Sequence, residues 1–328
     1  MRKAALLYNP LSGRRLKRRV ADVEAAIAIL RSAGIEVEAA ATVSAAGTVE
    51  QTRQAIAKGC DTIFACGGDG TIHDVLQALV GTHTALGIIP LGTANALAHD
   101  LRIPRSAVPA ALLALSSEPR RIAVGLVRFQ DFSGQPSSRY FTVTAGVGVD
   151  AHLFYQLNAL IKGRWGMLAY YMKATRLWLT HDMKMFEAGM HVSAEAESCA
   201  NQAVDGMNKD IRPEQVSQLL AVRISQFGGI LRELAPGASL KRNDLRLVLF
   251  KTQNRLFYLA YILRGLFGQR WTVPAIELIS ADRVACTALS SMEKAGRIFV
   301  EADGELLGTL PVEISIVPNA FTLLVPRT

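Results

Sequence analysis

The sequence predicts two folds in one chain: an α/β domain with a doubly wound parallel sheet over residues 1–122, then an all-β antiparallel sandwich over about 123–311. Three observations carry this. Apolar runs of strand length alternate with helix-spaced segments as far as Ile122, the pattern of repeated β–α units. Beyond that point short β-like runs are separated by Gly, Pro and polar turns. Within the first texture, Thr62-Ile63-Phe64 passes through Gly67-Gly68-Asp69-Gly70-Thr71 into a segment of helix spacing, so a strand, a glycine turn and a helix follow one another. The 328 residues suffice for two domains.

In chain order, Lys3–Tyr8 reads as a first strand and Asn9-Pro10-Leu11-Ser12-Gly13 as a turn. Leu16–Ala33 is a helix with Val20, Val23, Ile27 and Leu30 on one face, stopped by Gly34. Ile35–Thr42 alternates as a second strand. Thr48 and Gln51 form a capping box for a helix reaching about Ala57. The third strand and its glycine turn lead into a helix with Ile72, Val75, Leu76 and Leu79 apolar. Leu86–Ile89 is a fourth strand, followed by Pro90-Leu91-Gly92-Thr93-Ala94-Asn95 and a short helix to about Leu101. In such sheets ligands lie beyond the carboxyl ends of the strands. The turns at 9–13, 66–71 and 91–95 are therefore expected to converge on one cleft.

In the second half, β-like runs fall at 122–130, 139–146, 183–193, 219–226, 245–251 and 297–302, with a helical stretch over 151–179. Val312–Val317 and Ala320–Val325, around Pro318-Asn319, read as a hairpin.

Composition narrows the class. Half of the residues are apolar and a fifth are charged, which argues against disorder. No apolar run reaches the roughly 18 residues of a membrane span, the longest being stopped by Arg264. The apolar stretch after Met1-Arg2-Lys3 is too short for a signal peptide. Cys60, Cys66, Cys199 and Cys286 have neither metal spacing nor a disulfide framework, which fits a reducing cytosol. The net charge of +8 gathers at 14–19, 120–121, 162–164 and 241–246, and attracts nucleotide phosphates, anionic lipid or nucleic acid. Nucleic acid is disfavoured, because the basic clusters lack interleaved aromatics and any helix-turn-helix or zinc pattern. His73 and His99 read as solvated helix residues.

The turns carry the chemistry. At Gly67–Thr71 backbone N–H groups face an anion at a helix start, and the glycines permit close approach. A carboxylate there, Asp69, repels phosphate unless a metal or a proton transfer is involved, whereas a tight strand-to-helix turn would explain the glycines alone. Gly92-Thr93-Ala94-Asn95 offers a helix start, a hydroxyl and an amide. Asn9 and Ser12-Gly13 open the helix that carries the 14–19 basic run, which suits a phosphate clamp, although a solvated helix face is the commoner reason for such a run. Gly146-Val147-Gly148-Val149-Asp150-Ala151 matches the dinucleotide fingerprint, yet no acidic residue lies near 170 and no βαβ units surround it. Glu301-Ala302-Asp303-Gly304-Glu305 is a hairpin turn, or a general base with a metal-orienting partner.

Together these segments resemble the lipid kinase family of diacylglycerol kinases, sphingosine kinases and their bacterial relatives. The resemblance runs through Asn9–Gly13, Gly67–Thr71 with His73-Asp74-Val75, Pro90–Asn95, Ala145–Ala151, Leu234-Ala235-Pro236-Gly237-Ala238-Ser239-Leu240, and Asp303-Gly304-Glu305 followed by Leu310-Pro311. It implies an α/β nucleotide domain, rejoined by about 312–328, and a β-sandwich substrate domain, with ATP and Mg²⁺ in the cleft between them. Asn9, Ser12, Gly13, Thr42, Gly67, Gly68, Asp69, Gly70, Thr71, Gly92, Thr93 and Asn95 would hold ATP, with Asp69 on Mg²⁺. Asp69, Asp303 and Glu305 would be catalytic, Asp69 and Glu305 being rival general bases, and Asp150 would contact the lipid headgroup. The implied partner is a lipid at a membrane surface, reached from the cytoplasm at the inner face, and a homodimer is compatible with this.

Two departures stand out. Diacylglycerol kinases of this type carry Asp after the Asn of the third turn, where this chain has Ala96; Asn95-Ala96-Leu97-Ala98 is closer to the sphingosine kinase version, so the lipid stays open. Many bacterial members hold a structural Mg²⁺ with an Asp-Gly-Leu-Leu-Asp stretch, where this chain has Arg242-Asn243-Asp244-Leu245-Arg246. Arginine cannot ligate a cation, so no structural metal is expected, with Arg246 as a fixed charge in its stead. Aromatics and cations interleaved over 153–178 suit either an interfacial surface or a core helix beside a basic loop. Two other readings remain. NAD kinases share the Gly-Gly-Asp-Gly turn but not the third turn or the Asp-Gly-Glu ending. A silent lipid- or nucleotide-binding protein is disfavoured by Asp69, Asp303 and Glu305.

Overall fold

The structure is a computed structural model and describes residues 1–10, 19–149, 183–192, 209–227, 233–267, 271–289 and 297–327. They form two compact units, Met1–Val124 with Gln226–Ile230 and Val317–Thr328, and Gly125–Ser225 with Leu231–Ile316. The units part after Val124 and before Val317, each time within a strand, Glu118–Gln130 and Glu305–Val325.

The first unit is built from β1 (Lys3–Tyr8), α1 (Arg19–Ser32), β2 (Glu36–Ala41), α2 (Ala45–Ala57), β3 (Thr62–Gly67), α3 (Asp69–Leu79), β4 (Ala85–Pro90), α4 (Ala96–Asp100) and α5 (Ala107–Ser116). The strands pair in parallel in the order β2-β1-β3-β4. The far end of the last strand, β15 (Glu305–Val325), adds Thr322 and Leu323 in parallel against Ala85 and Leu86. β3 and β4 are buried at every position, which is why they read as unbroken apolar runs. On one face Leu6, Phe64 and Ile89 pack beneath Val23, Ala26 and Leu30 of α1 and the alanines of α5. The strand order reverses between β1 and β3, the switch point at which such sheets bind ligands.

Several local expectations change. The buried stripe of α1 is Arg19, Val23, Ala26 and Leu30, while Val20 is 57% exposed. The cap of α2 is Ser44, whose Oγ accepts from the Gly47 N–H at 3.1 Å; Thr48 lies inside the helix, and Gln51 Nε2 donates to the Ala41 carbonyl at 2.9 Å. α5 gave no periodic signal, because Ala-Val-Pro-Ala-Ala-Leu-Leu-Ala-Leu is apolar all round. His73 is buried at 3% exposure beside the apolar stripe of α3, not solvated. His99 is half-buried, and its Nδ1 is buried without a partner among the described residues.

The second unit is antiparallel and sandwich-like. It contains the part of β5 (Glu118–Gln130) from Gly125 on, β6 (Pro136–Phe141), β7 (Thr144–Gly148), β8 (Phe186–Val192), β9 (Lys209–Val216), β10 (Gln218–Val222), β11 (Leu245–Phe250), α6 (Arg255–Phe267), β12 (Ile276–Ala281), β13 (Arg283–Ala288), β14 (Phe299–Ala302) and the first part of β15. β12-β11-β10-β7-β14-β15 are neighbours in that order, and β13 joins β15 to β8 and β9. Phe141, Phe186, Val216, Leu247, Val284 and Ile314 lie in its core.

The hairpin expected at 312–325 is instead one strand. β15 runs antiparallel to β13 and β14 and later parallel to β4, and Pro318-Asn319 lies within it without reversing the chain. Gly146 lies inside β7, paired with both β10 and β14, and Gly148 ends that strand, paired with β10, so the fingerprint they match is no phosphate turn. Gly148 sits at φ +107°, where a Cβ would come within 2.5 Å of the Ser217 carbonyl oxygen. Asp150 and the helical stretch expected at 151–179 lie outside the described residues.

Candidate active site

The polar turns of the first unit lie at the carboxyl edge of its sheet. Asn9 follows β1, with its N–H on the Cys66 carbonyl at 3.1 Å, and Thr42 follows β2, with its N–H on the Tyr8 carbonyl at 2.8 Å. Gly67 ends β3, Gly68 caps α3, and Asp69 is the first residue of that helix. A side chain on Gly67 would collide with Thr71, which is buried against it. Asn9, Thr42, Gly67–Thr71 and Gly92–Asn95 thus share one edge around the switch point. Ser12 and Gly13 lie outside the described residues.

Two of these turns are tied together. The N–H groups of Leu91 and Gly92 both donate to the Gly67 carbonyl, at 2.8 and 2.9 Å. Gly92 lies against Gly68, so that a Cβ on Gly92 would overlap the Gly68 backbone. The Asp69 carboxylate accepts the Asn95 N–H at 2.8 Å and the Ala96 N–H at 2.7 Å. It thereby caps α4 from another element, satisfying N–H groups that a helix start leaves without partners. Asn95 is held at φ +53° with Nδ2 on the Gly92 carbonyl at 2.9 Å. A carboxylate at the start of a helix beside the third turn is an anionic oxygen donor of the type Mg²⁺ takes, so Asp69 fits as one ligand of a nucleotide-borne Mg²⁺. Gly92→Ala is expected to cost about 1–3 kcal/mol through overpacking, read as a lower thermal midpoint together with weaker ATP binding.

Sequence reasoning missed Arg19, which had appeared only as the end of a basic run. It is 3% exposed, Nη1 donates to the Leu91 carbonyl at 2.7 Å, and burial lowers its pKa. With Asp22, Leu91, Gly92 and Thr93 it borders a cavity of about 490 Å³.

In the second unit Asp303-Gly304 joins β14 to β15. Both residues have positive φ, +50° and +82°, as a two-residue type I′ hairpin requires. The Asp303 carboxylate accepts three backbone N–H groups, from Thr142 at 3.0 Å, Val143 at 2.9 Å and Thr144 at 3.1 Å. Glu301, fully buried, accepts the Gly304 N–H at 2.9 Å. Glu305 is exposed, and its carboxylate has no partner among the described residues. Of the three acids two hold the turn, and Glu305 is available to a ligand.

The segment after Pro236 is held by organic cations. Arg246 donates Nε to the Pro236 carbonyl at 2.9 Å and Nη1 to Ser280 Oγ at 3.2 Å. Arg223, 1% exposed, donates Nη1 to the carbonyls of Arg242 at 2.8 Å and Asp244 at 2.6 Å. Burial lowers the Arg223 pKa to about 10, so it stays charged at neutral pH. Tyr261 donates its hydroxyl to the Leu234 carbonyl at 2.6 Å. Carbonyls already occupied by guanidinium groups do not fit a Mg²⁺ site.

Residues 3–127 match the family model described as diacylglycerol kinase catalytic domain, and residues 143–325 match that described as YegS C-terminal NAD kinase beta sandwich-like domain. The chain belongs to the diacylglycerol kinase family. Like that family it is a kinase, a phosphotransferase with an alcohol acceptor. It is 28% identical over 331 residues to a diacylglycerol kinase of Bacillus subtilis (strain 168), covering 100% of this chain and 97% of the relative. It is 29% identical over 329 residues to a diacylglycerol kinase of Mycobacterium tuberculosis (strain H37Rv), covering 99% and 96%. A crystal structure of a family member described as a diacylglycerol kinase, from Bacillus anthracis, shares the fold at a TM-score of 0.71 and 19% identity, over 99% of this chain and 95% of that one.

Proposed function

We propose that this kinase transfers the γ-phosphoryl group of ATP to the hydroxyl of a lipid. The observation that carries the reading is the pairing of two phosphate-type turns through Asp69 at the switch point, in a chain that matches the diacylglycerol kinase domain. Gly67–Thr71 and Gly92–Asn95 bind and orient the phosphates with backbone N–H groups, as phosphoryl transfer requires. Asp69 would hold Mg²⁺ bound with ATP, which would supply charge neutralisation on the phosphates. Asp69 positions the third turn, Asp303 and Glu301 hold the hairpin, and Glu305 takes the hydroxyl proton as general base. Among the described residues no helix is long and apolar enough to cross a membrane, and we place the enzyme at the bilayer surface from which a lipid is drawn.

The test is transfer of label from ATP in the presence of Mg²⁺ and mixed micelles. The acceptors are diacylglycerol, monoacylglycerol, ceramide, sphingoid bases, phosphatidylglycerol and polyprenols, with NAD in parallel. A labelled lipid supports the reading; labelled NAD with no labelled lipid overturns it.

In the same reading Arg246 and Arg223 replace a structural metal. A chelator is expected to leave the thermal midpoint of the nucleotide-free protein unchanged. Arg246→Gln should lower stability by about 1–3 kcal/mol through lost charge-assisted bonds. Mg²⁺ retained at this segment after dialysis, found by elemental analysis, would refute it.

A further inference from the structure

A second cavity, of about 380 Å³, borders the third turn on the side of α4. Asn95, His99, Arg102, Arg105 and Gln226 line it. Its charge is one-sided. Arg102 and Arg105 are exposed, and neither guanidinium has an ion pair or hydrogen bond among the described residues. Asp100, the nearby acid on α4, accepts the Gln226 N–H at 2.9 Å.

The backbone at Arg102 adds a separate observation. α4 ends with the Ile103 N–H on the Ala98 carbonyl at 2.8 Å and the Arg102 N–H on the His99 carbonyl at 3.0 Å. This is the Schellman arrangement, and its left-handed position is usually glycine. Here arginine occupies it, at φ +56°. A residue other than glycine is uncommon at this position, and here it sets a guanidinium at the edge of the cavity. The guanidinium so placed is the group best matched to phosphate oxygens.

We propose that this cavity binds a phosphate group, through Arg102 and Arg105, beside the turn that Asp69 holds. The inference rests on the lipid-kinase reading and sharpens it: the phosphate is that of an anionic acceptor lipid, a phosphodiester headgroup whose free hydroxyl receives the phosphoryl group. The same chemistry would accept the free ion.

Calorimetric titration of the full chain with glycerophosphoglycerol, inorganic phosphate and glycerol separates these sources. Glycerophosphoglycerol is expected to bind and glycerol not. Arg102→Gly should weaken that binding at least tenfold while leaving the thermal midpoint equal or higher, because glycine relieves the left-handed strain. Adding Arg105→Gln should weaken it further. Binding of inorganic phosphate without glycerophosphoglycerol would remove the headgroup from the site and overturn the acceptor assignment. No binding of either phosphate probe, or equal binding by the Arg102→Gly variant, would overturn the cavity itself. Labelling of phosphatidylglycerol is measured in parallel. If wild-type protein labels no lipid the kinase reading fails, while the titration still reports on the cavity.

Discussion

Glu305→Gln is expected to lower the turnover number for phosphoryl transfer by about 10²–10⁴-fold, the usual contribution of a positioned general base. ATP affinity and the thermal midpoint should stay at wild-type values. The basis is the division of labour among the acids of the β14–β15 hairpin. Glu305 is exposed, and among the described residues its carboxylate has no hydrogen bond or ion pair that an amide would break. Asp303→Asn is the contrasting variant. It leaves three N–H donors facing one remaining carbonyl oxygen and an NH₂ group, so it should lower both turnover and the thermal midpoint. Steady-state transfer and thermal unfolding on the same preparations check this. A Glu305→Gln enzyme of wild-type rate would remove Glu305 as the base.

The second large effect is expected at Asp69. Asp69→Asn replaces a carboxylate that accepts from both Asn95 and Ala96 by an amide that accepts with one oxygen and turns an NH₂ group toward the other donor. Charge-assisted hydrogen bonds contribute roughly 1.5–3 kcal/mol each, and 1.36 kcal/mol is a tenfold change in rate. Transfer should therefore fall by about 10²-fold or more, with weaker ATP binding and a lower thermal midpoint. The signature that separates Asp69 from Glu305 is this joint loss of stability, nucleotide affinity and rate. Loss of rate alone in Asp69→Asn would mean that the carboxylate acts on the reacting atoms and not through the third turn.

The sequence revealed the first unit better than the second, and for physical reasons. β3 and β4 are buried on both faces, so they stand out as apolar runs, and the helix of Ile72, Val75, Leu76 and Leu79 buries all four of those residues. In the second unit β12 and β13 bury alternate or few positions and went unread. α5 was missed because alanine and leucine on every side give no periodicity. β15 was misread because Pro318-Asn319 carries a turn signature, while the strand's partners on either side of it are remote in sequence. At the site the glycine turns were legible as types of residue, but their contact was not. That Gly92 lies on Gly68, that Asp69 spans to Ala96, and that Arg19 is buried on Leu91 are facts of tertiary packing. Asp303 shows the same limit: Asp-Gly was legible as a turn, but not that its carboxylate accepts from the 142–144 backbone.

Asp69 holds the third turn through two main-chain N–H groups, those of Asn95 and Ala96. Every amino acid but proline supplies that donor. Position 96 can therefore change its side chain over generations, from an acid to alanine or to something else, without loosening the nucleotide end of the enzyme. Change at that position has an open route, since it is the main chain of residue 96, and not its side chain, that Asp69 holds.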